Sequence, residues 1–177
     1  FTDLNALNET NNVYALNLNE SITVDQANTL DAKTTGVITA TISTGASATL
    51  AGLNGTGNAY TVTVTDTSAT ASELTSIDAA TTVAVQAGNV TSLSGTATEV
   101  KAAYTADAAG TIVLDGDEAV SVSGSVSVAD ANIIAGKTSG VVTATIAEGA
   151  SATLAGLNGT GNAYTCLLYT SDAADDW

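Results

Sequence analysis

Seventeen consecutive residues, Gly45 to Thr61, recur without a single change at Gly149 to Thr165, 104 positions downstream. Two equal sequences start from the same local preferences, so this identity constrains the fold more than any composition value does. It predicts a super-repeat of 104 residues, near-identical over 36–61 and 140–165, within an array that covers 1–165.

Within that period lie four helix-start signals. Thr23 precedes Gln26, Thr70 precedes Glu73, Thr96 precedes Glu99 and Ser127 precedes Asp130, by three residues each time. The hydroxyl can accept an amide at the helix start while the longer side chain reaches back, which makes a capping box. Asp130 is the shortest of the four partners and the weakest for that reach. Four and seven positions beyond each cap stand Ala27 and Leu30, Leu74 and Ile77, Val100 and Ala103, and Ala131 and Ile134. One apolar stripe on a short helix follows from that spacing. Helices of about ten residues are marginal alone, so each needs a partner to pack on.

The β-branched segments Val37–Ile42, Val83–Val85, Thr111–Leu114 and Val141–Ile146 supply that partner. Further alternations at Val13–Leu18, Ser21–Val24 and Ala119–Ser123 lead toward the next helix. Ala48–Leu53 and Tyr60–Val64, joined by Asn54–Asn58, read as a β-hairpin, with Gly55 and Gly57 free to take positive φ. The fold class expected is a repeat protein: a strand-rich β/α solenoid with short capped helices and stacked parallel strands. Tandem β-sandwich domains are the alternative, because the cap-to-cap distances of 47, 26 and 31 residues are uneven.

Three lysines and no arginine face 18 acidic residues, for a net charge of -15. Nucleic-acid affinity rests on cationic contacts to phosphate, so that class of partner is excluded. No run of 18 apolar residues occurs, and no membrane insertion is expected in this segment. Histidine is absent and Cys166 is the only cysteine, which removes imidazole zinc sites and the usual nucleophile–base pairs. The chain is therefore expected not to be an enzyme. Asp115, Asp117 and Glu118, grouped at the Gly116 turn, are the candidate metal ligands, with calcium as the ion that carboxylate oxygens suit. No other cofactor is implied. Tyr60 and Tyr164 are either core residues or stacking platforms for a glycan.

After Thr165 the second copy departs abruptly from the first, reading Cys166-Leu-Leu-Tyr-Thr-Ser where the first has Val62-Thr-Val-Thr-Asp-Thr. Residues 166–177 resemble a translated sequencing-library adapter of the kind found at the ends of assembled metagenomic fragments, which implies a non-native tail. Over roughly residues 20–165, the Thr/Ala/Gly/Val-rich texture and tandem organisation resemble the repeat regions of giant secreted or cell-surface, adhesin-like bacterial proteins. That resemblance implies an extracellular or cell-surface location and a structural or spacer role, with neighbouring repeats of the parent chain as partners. A calcium-binding or glycan-binding adhesion module, with a surface glycan as partner, is the alternative.

Overall fold

Thr23, Thr70 and Thr96 each end an extended stretch and start a helix with a complete capping box. In the computed structural model, which describes residues 12–168, Thr23 Oγ1 accepts from the Gln26 amide at 3.3 Å while Gln26 Oε1 accepts from the Thr23 amide at 2.9 Å. Ser127 caps its helix by accepting from the Asp130 amide, but no bond from the Ser127 amide to the Asp130 side chain completes a box. Its carboxylate instead takes the Lys101 ammonium.

The helices so started are α1 (Val24–Asp31), α3 (Ala71–Ala79), α4 (Ala97–Ala109) and α5 (Val128–Ala135). Two four-residue helices, α2 (Ser47–Leu50) and α6 (Ser151–Leu154), lie in the two copies of the repeated segment. Among the described residues, ten strands are interspersed with them. They are β1 (Leu16–Ile22), β2 (Ile38–Ile42), β3 (Ala59–Thr61), β4 (Ser68–Thr70), β5 (Val85–Gln86), β6 (Ser92–Thr96), β7 (Ile112–Val113), β8 (Ala119–Val126), β9 (Val142–Gly149) and β10 (Ala163–Leu168).

Every strand pairing is parallel. The strands group as β1-β2-β3, as β10-β9-β8-β6-β4 and as the pair β5-β7. Parallel neighbours cannot be joined by a tight turn, so a crossover must separate them, and here each crossover carries a helix. Alternate residues of a strand point to opposite faces, which explains the burial of Ile38, Ala40 and Ile42 beside exposed Thr39 and Thr41. The inward residues join Ala27, Leu30, Leu74, Ile77, Val100, Ala131 and Ile134 of the helix stripes in one contiguous cluster.

This architecture corrects the expected fold class. The described residues make a single α/β domain of alternating strands and helices around one core. A sandwich would need antiparallel strands packed sheet on sheet, and no antiparallel pair occurs among the described residues. A solenoid of equivalent coils would need equal strand and helix sets in each. Here the sheets hold three, five and two strands, and the helices run from 4 to 13 residues. The adhesin-like repeat module gives way with it, as do its spacer role and its reliance on neighbouring repeats, because the core closes within this chain. The adapter reading of the tail is corrected where it can be seen: Cys166 to Leu168 belong to β10, with Cys166 in register with Ile146 and Leu168, after a register shift, with Gly149. Residues 169–177 lie outside the described residues.

The expected hairpin is corrected too. Residues 47–50 are helical, and β3 pairs in parallel with β2 rather than antiparallel with the segment before it. Gly55 and Gly57 do take positive φ, 82° and 84°. The asparagine bonds of the repeated segment recur in both copies. Asn28 Nδ2 donates to the Gly52 carbonyl and Asn132 Nδ2 to that of Gly156, both at 2.8 Å. The Asn58 and Asn162 side-chain oxygens accept from the amides of Ile38 and Val142 at 3.0 and 2.9 Å.

Threonine hydroxyls tie successive strands at the points where the ladders start. Thr81 Oγ1 accepts from the Tyr60 and Val83 amides at 3.0 and 3.1 Å and donates to the Tyr60 carbonyl at 2.7 Å. Thr34 makes the same set with Tyr14 and Gly36, and Thr138 reproduces it in part with Glu118 and Gly140.

Replacing Thr81 with Val keeps the shape but leaves the Tyr60 backbone groups without this partner. The expected loss is about 1–3 kcal/mol in urea unfolding, with Thr81→Ser recovering most of it. A second prediction concerns acid. Glu73's carboxyl is held below its ordinary 4.5, first by the hydrogen bond from the Thr70 amide, against a smaller opposing effect of burial. A depressed carboxylate stabilises the fold above its unfolded-state value and loses that contribution as pH falls through its folded-state value. Urea midpoints should therefore fall more steeply between about pH 6 and pH 3 in the parent chain than in Glu73→Gln.

Candidate functional site

The expected metal residues sit at the turn between β7 and β8, but they do not converge. Gly116 takes a φ of 76°, which turns the chain sharply enough to send Glu118 inward while Asp115 and Asp117 stay exposed. Glu118 is fully buried. Its carboxylate accepts from the Tyr104 hydroxyl at 3.1 Å and from the Gly116 amide at 2.9 Å. Burial first, and then the adjacent Glu118 charge, raise the Tyr104 phenol well above its ordinary value of 10.0. Asp115 turns toward Gly88, where an added Cβ would come within 3.0 Å of its Oδ1. Among the described residues no group of three acidic, histidine or cysteine side chains is placed to hold a metal ion. Glu118 acts as an internal acceptor that joins α4 to the β7–β8 turn.

Tyr60 is likewise no stacking platform for a glycan. It is fully buried, and burial first, with the Asp31 charge second, pushes its phenol up to about 12. Tyr164, its counterpart in the second copy, is half-buried. Both phenol oxygens are enclosed without a hydrogen-bond partner.

A more open site lies where α1 ends. Its last residue, Asp31, faces a cleft of about 330 Å³ whose walls include Thr34, Thr35, Gly55, Thr56 and Asn58. Asn58 Nδ2 donates to Asp31 Oδ1 at 2.8 Å, which orients the carboxylate and leaves Oδ2 without a bond from that amide. Gly55 permits the approach. A Cβ there would lie 2.3 Å from Asp31 Oδ1, and the φ of 82° itself excludes most side chains. A carboxylate at the C-terminal end of a helix meets the negative end of the helix dipole, so a positive group beside it is favoured.

The repeated segment supplies an internal comparison. Gly159, Thr160 and Asn162 repeat Gly55, Thr56 and Asn58, and Thr138 stands for Thr34, but Ala135 takes the place of Asp31. The two loops share their framework and differ in charge. Asp31 stands apart from the dense acid cluster at Asp115, Asp117 and Glu118, so acid density in the sequence does not single it out. The Asp31/Ala135 difference between otherwise matching loops was the signal that could have found it.

Among the described residues, no helix is long and apolar enough to cross a membrane. No protein-family model matches the chain, and no curated protein or solved structure matches it at a significant level.

Substituting Glu118 by Ala leaves the Tyr104 hydroxyl and the Gly116 amide unpaired. The expected cost is about 2–4 kcal/mol in denaturant unfolding, and added calcium should not restore it.

Proposed function

We propose that this chain is a non-catalytic recognition domain of an exported or surface-exposed protein, and that the Asp31 cleft takes up a small organic cation of the ammonium or guanidinium type. The observation that carries this reading is the single oriented carboxylate in a polar cleft, set against Ala135 in the matching loop. A cation there would meet Asp31 Oδ2, while the Thr35 and Thr56 hydroxyls at the walls offer acceptors for its remaining N–H groups. A volume of about 330 Å³ suits a ligand at the small end of the range for binding pockets.

The non-catalytic reading is supported by how the other acids are used. Glu73 and Glu99 close capping boxes, Asp107 accepts from the Leu114 amide at 3.0 Å and Glu118 is held by Tyr104. Groups tied into the scaffold this way are poorly placed for proton transfer to a substrate. The surplus of acid, with a net charge of -15, suits a protein that must stay soluble in a saline exterior and that attracts cations by its field.

Isothermal titration of the chain with ethylammonium, guanidinium and spermidine should give saturable binding near one site for at least one of them. Asp31→Asn should weaken that binding about tenfold or more, the range for a hydrogen bond to a charged group. Ala135→Asp should raise the stoichiometry toward two. Equal binding by Asp31→Asn, or no saturable binding by any of the three, would overturn the assignment.

A further inference from the structure

Asn58 holds two walls of the Asp31 cleft with one side chain. Its Nδ2 donates to Asp31 Oδ1 at 2.8 Å, and its Oδ1 accepts from the Ile38 amide, next to Val37, at 3.0 Å. The Val37 carbonyl in turn accepts from the Leu16 amide at 2.9 Å. Carboxylate and valine are therefore kept in a fixed relation before any ligand arrives, which lowers the cost of binding one.

The two carboxylate oxygens are not equivalent. Oδ1 is engaged by Asn58 and hemmed by Gly55, where an added Cβ would fall 2.3 Å away. A guanidinium binds a carboxylate best as a planar fork, with two parallel N–H groups on two oxygens. Placing that fork here would crowd the Asn58 amide at Oδ1. An ammonium is a compact charge with three rotatable donors, and it can use Oδ2 alone. The hydroxyls on the wall suit its remaining donors. Thr35 directs its hydroxyl hydrogen to the Asn12 carbonyl at 3.3 Å, so its lone pairs face an incoming N–H rather than an acceptor. Thr34 is already saturated: its hydroxyl accepts from the Tyr14 and Gly36 amides and donates to the carbonyls between which it sits.

The cleft also has an apolar part. Val37 lines it and is 49% exposed, so its methyl groups are available to cover a ligand. Gly57, on the same wall, faces open space, since a Cβ there would meet nothing within 4 Å. We infer that the ligand of the cleft is a primary alkylammonium with a short unbranched arm. Its N–H groups go to Asp31 Oδ2 and the Thr35 and Thr56 hydroxyls, and its methylenes run along Val37 and over Gly57. This inference rests on the Asp31 reading above and narrows it from organic cations in general to one head group and one kind of tail. A free amine and the lysine side chain of a protein share that chemistry. The second loop keeps the apolar part as Val141 and Gly161 but has Ala135 for Asp31, which makes it an internal control.

Isothermal titration of the full chain with ethylammonium, butylammonium and butylguanidinium tests it. Butylammonium should bind at least about fivefold more tightly than ethylammonium, because each fully covered methylene contributes about fourfold. It should also bind at least about fivefold more tightly than butylguanidinium, which has the same arm but needs the fork. Val37→Thr should bring the butyl-to-ethyl ratio to about twofold or less while ethylammonium binds as before, and Val141→Thr should change neither. Lysine blocked at both backbone ends separates the sources: binding equal to that of butylammonium assigns the ligand to a protein's lysine, and weaker binding assigns it to a free amine. Equal affinity for the two alkylammonium ions, equal affinity for butylguanidinium, or an unchanged ratio in Val37→Thr would each overturn the inference and leave the cation reading standing. Absence of saturable binding by every cation would instead remove that reading, and this inference with it.

Discussion

A threonine hydroxyl placed between two parallel strands holds this structure in register. Hydroxyl groups offer one donor and two acceptor lone pairs, so one side chain can satisfy a neighbour's amide and carbonyl together with an amide of its own strand. Thr34 and Thr81 do this in full, at the places where the chain leaves a helix and enters a strand. Those places are otherwise hard to satisfy, because the helix leaves carbonyls behind and the ladder has not yet begun. Close approach there depends on small residues. A Cβ at Gly36 would lie 2.3 Å from the Tyr14 carbonyl oxygen, and one at Gly140 would lie 2.3 Å from that of Glu118. At the third clamp the corresponding residue is Val83, which is half-turned to solvent, so the clamp does not require glycine everywhere.

The acids follow the same logic. In a chain with three basic residues, most carboxylates cannot find a cation, and the structure gives several of them amides and hydroxyls instead. Glu73 accepts from the Thr70 amide and the Ser47 hydroxyl, Asp66 from the Ser47 amide, and Glu118 from Tyr104 and Gly116. Asp31 is held by one amide and borders a cleft, which separates it from the acids fully absorbed by the scaffold.

The parts legible beforehand were those governed by neighbours in sequence. A capping box needs a hydroxyl and an acceptor three residues apart, and all three boxes appear at the expected residues. Even the exception at Ser127 follows from the reach of Asp130, whose carboxylate goes to Lys101 on the adjoining helix. The helices α2 and α6 were illegible for the converse reason. Their N-caps are Ala46 and Ala150, which offer no side-chain acceptor, and a four-residue helix shows no period. The Thr-Leu alternation of residues 49–50 looked like a strand. Asp115, Asp117 and Glu118 are close in sequence, but proximity at a glycine turn does not decide which side of the backbone each acid faces, and Glu118 alone turns inward.

Identity between the two copies of the repeated segment determined their local structure, including the short helix, the positive-φ glycines and the asparagine bonds to the preceding strand. All of these are satisfied within a few residues or by a partner that the same repeat supplies. Sequence could not decide how the strands divide among sheets or which copy of Tyr is buried. The Asp31/Ala135 difference is visible in sequence, but the cleft that Asp31 borders is not. Those outcomes depend on contacts between residues 20 to 30 positions apart or more, as when Thr81 covers Tyr60 or Asn58 orients Asp31. Local preference is indifferent to such pairings, and only the closing of a common core selects among them.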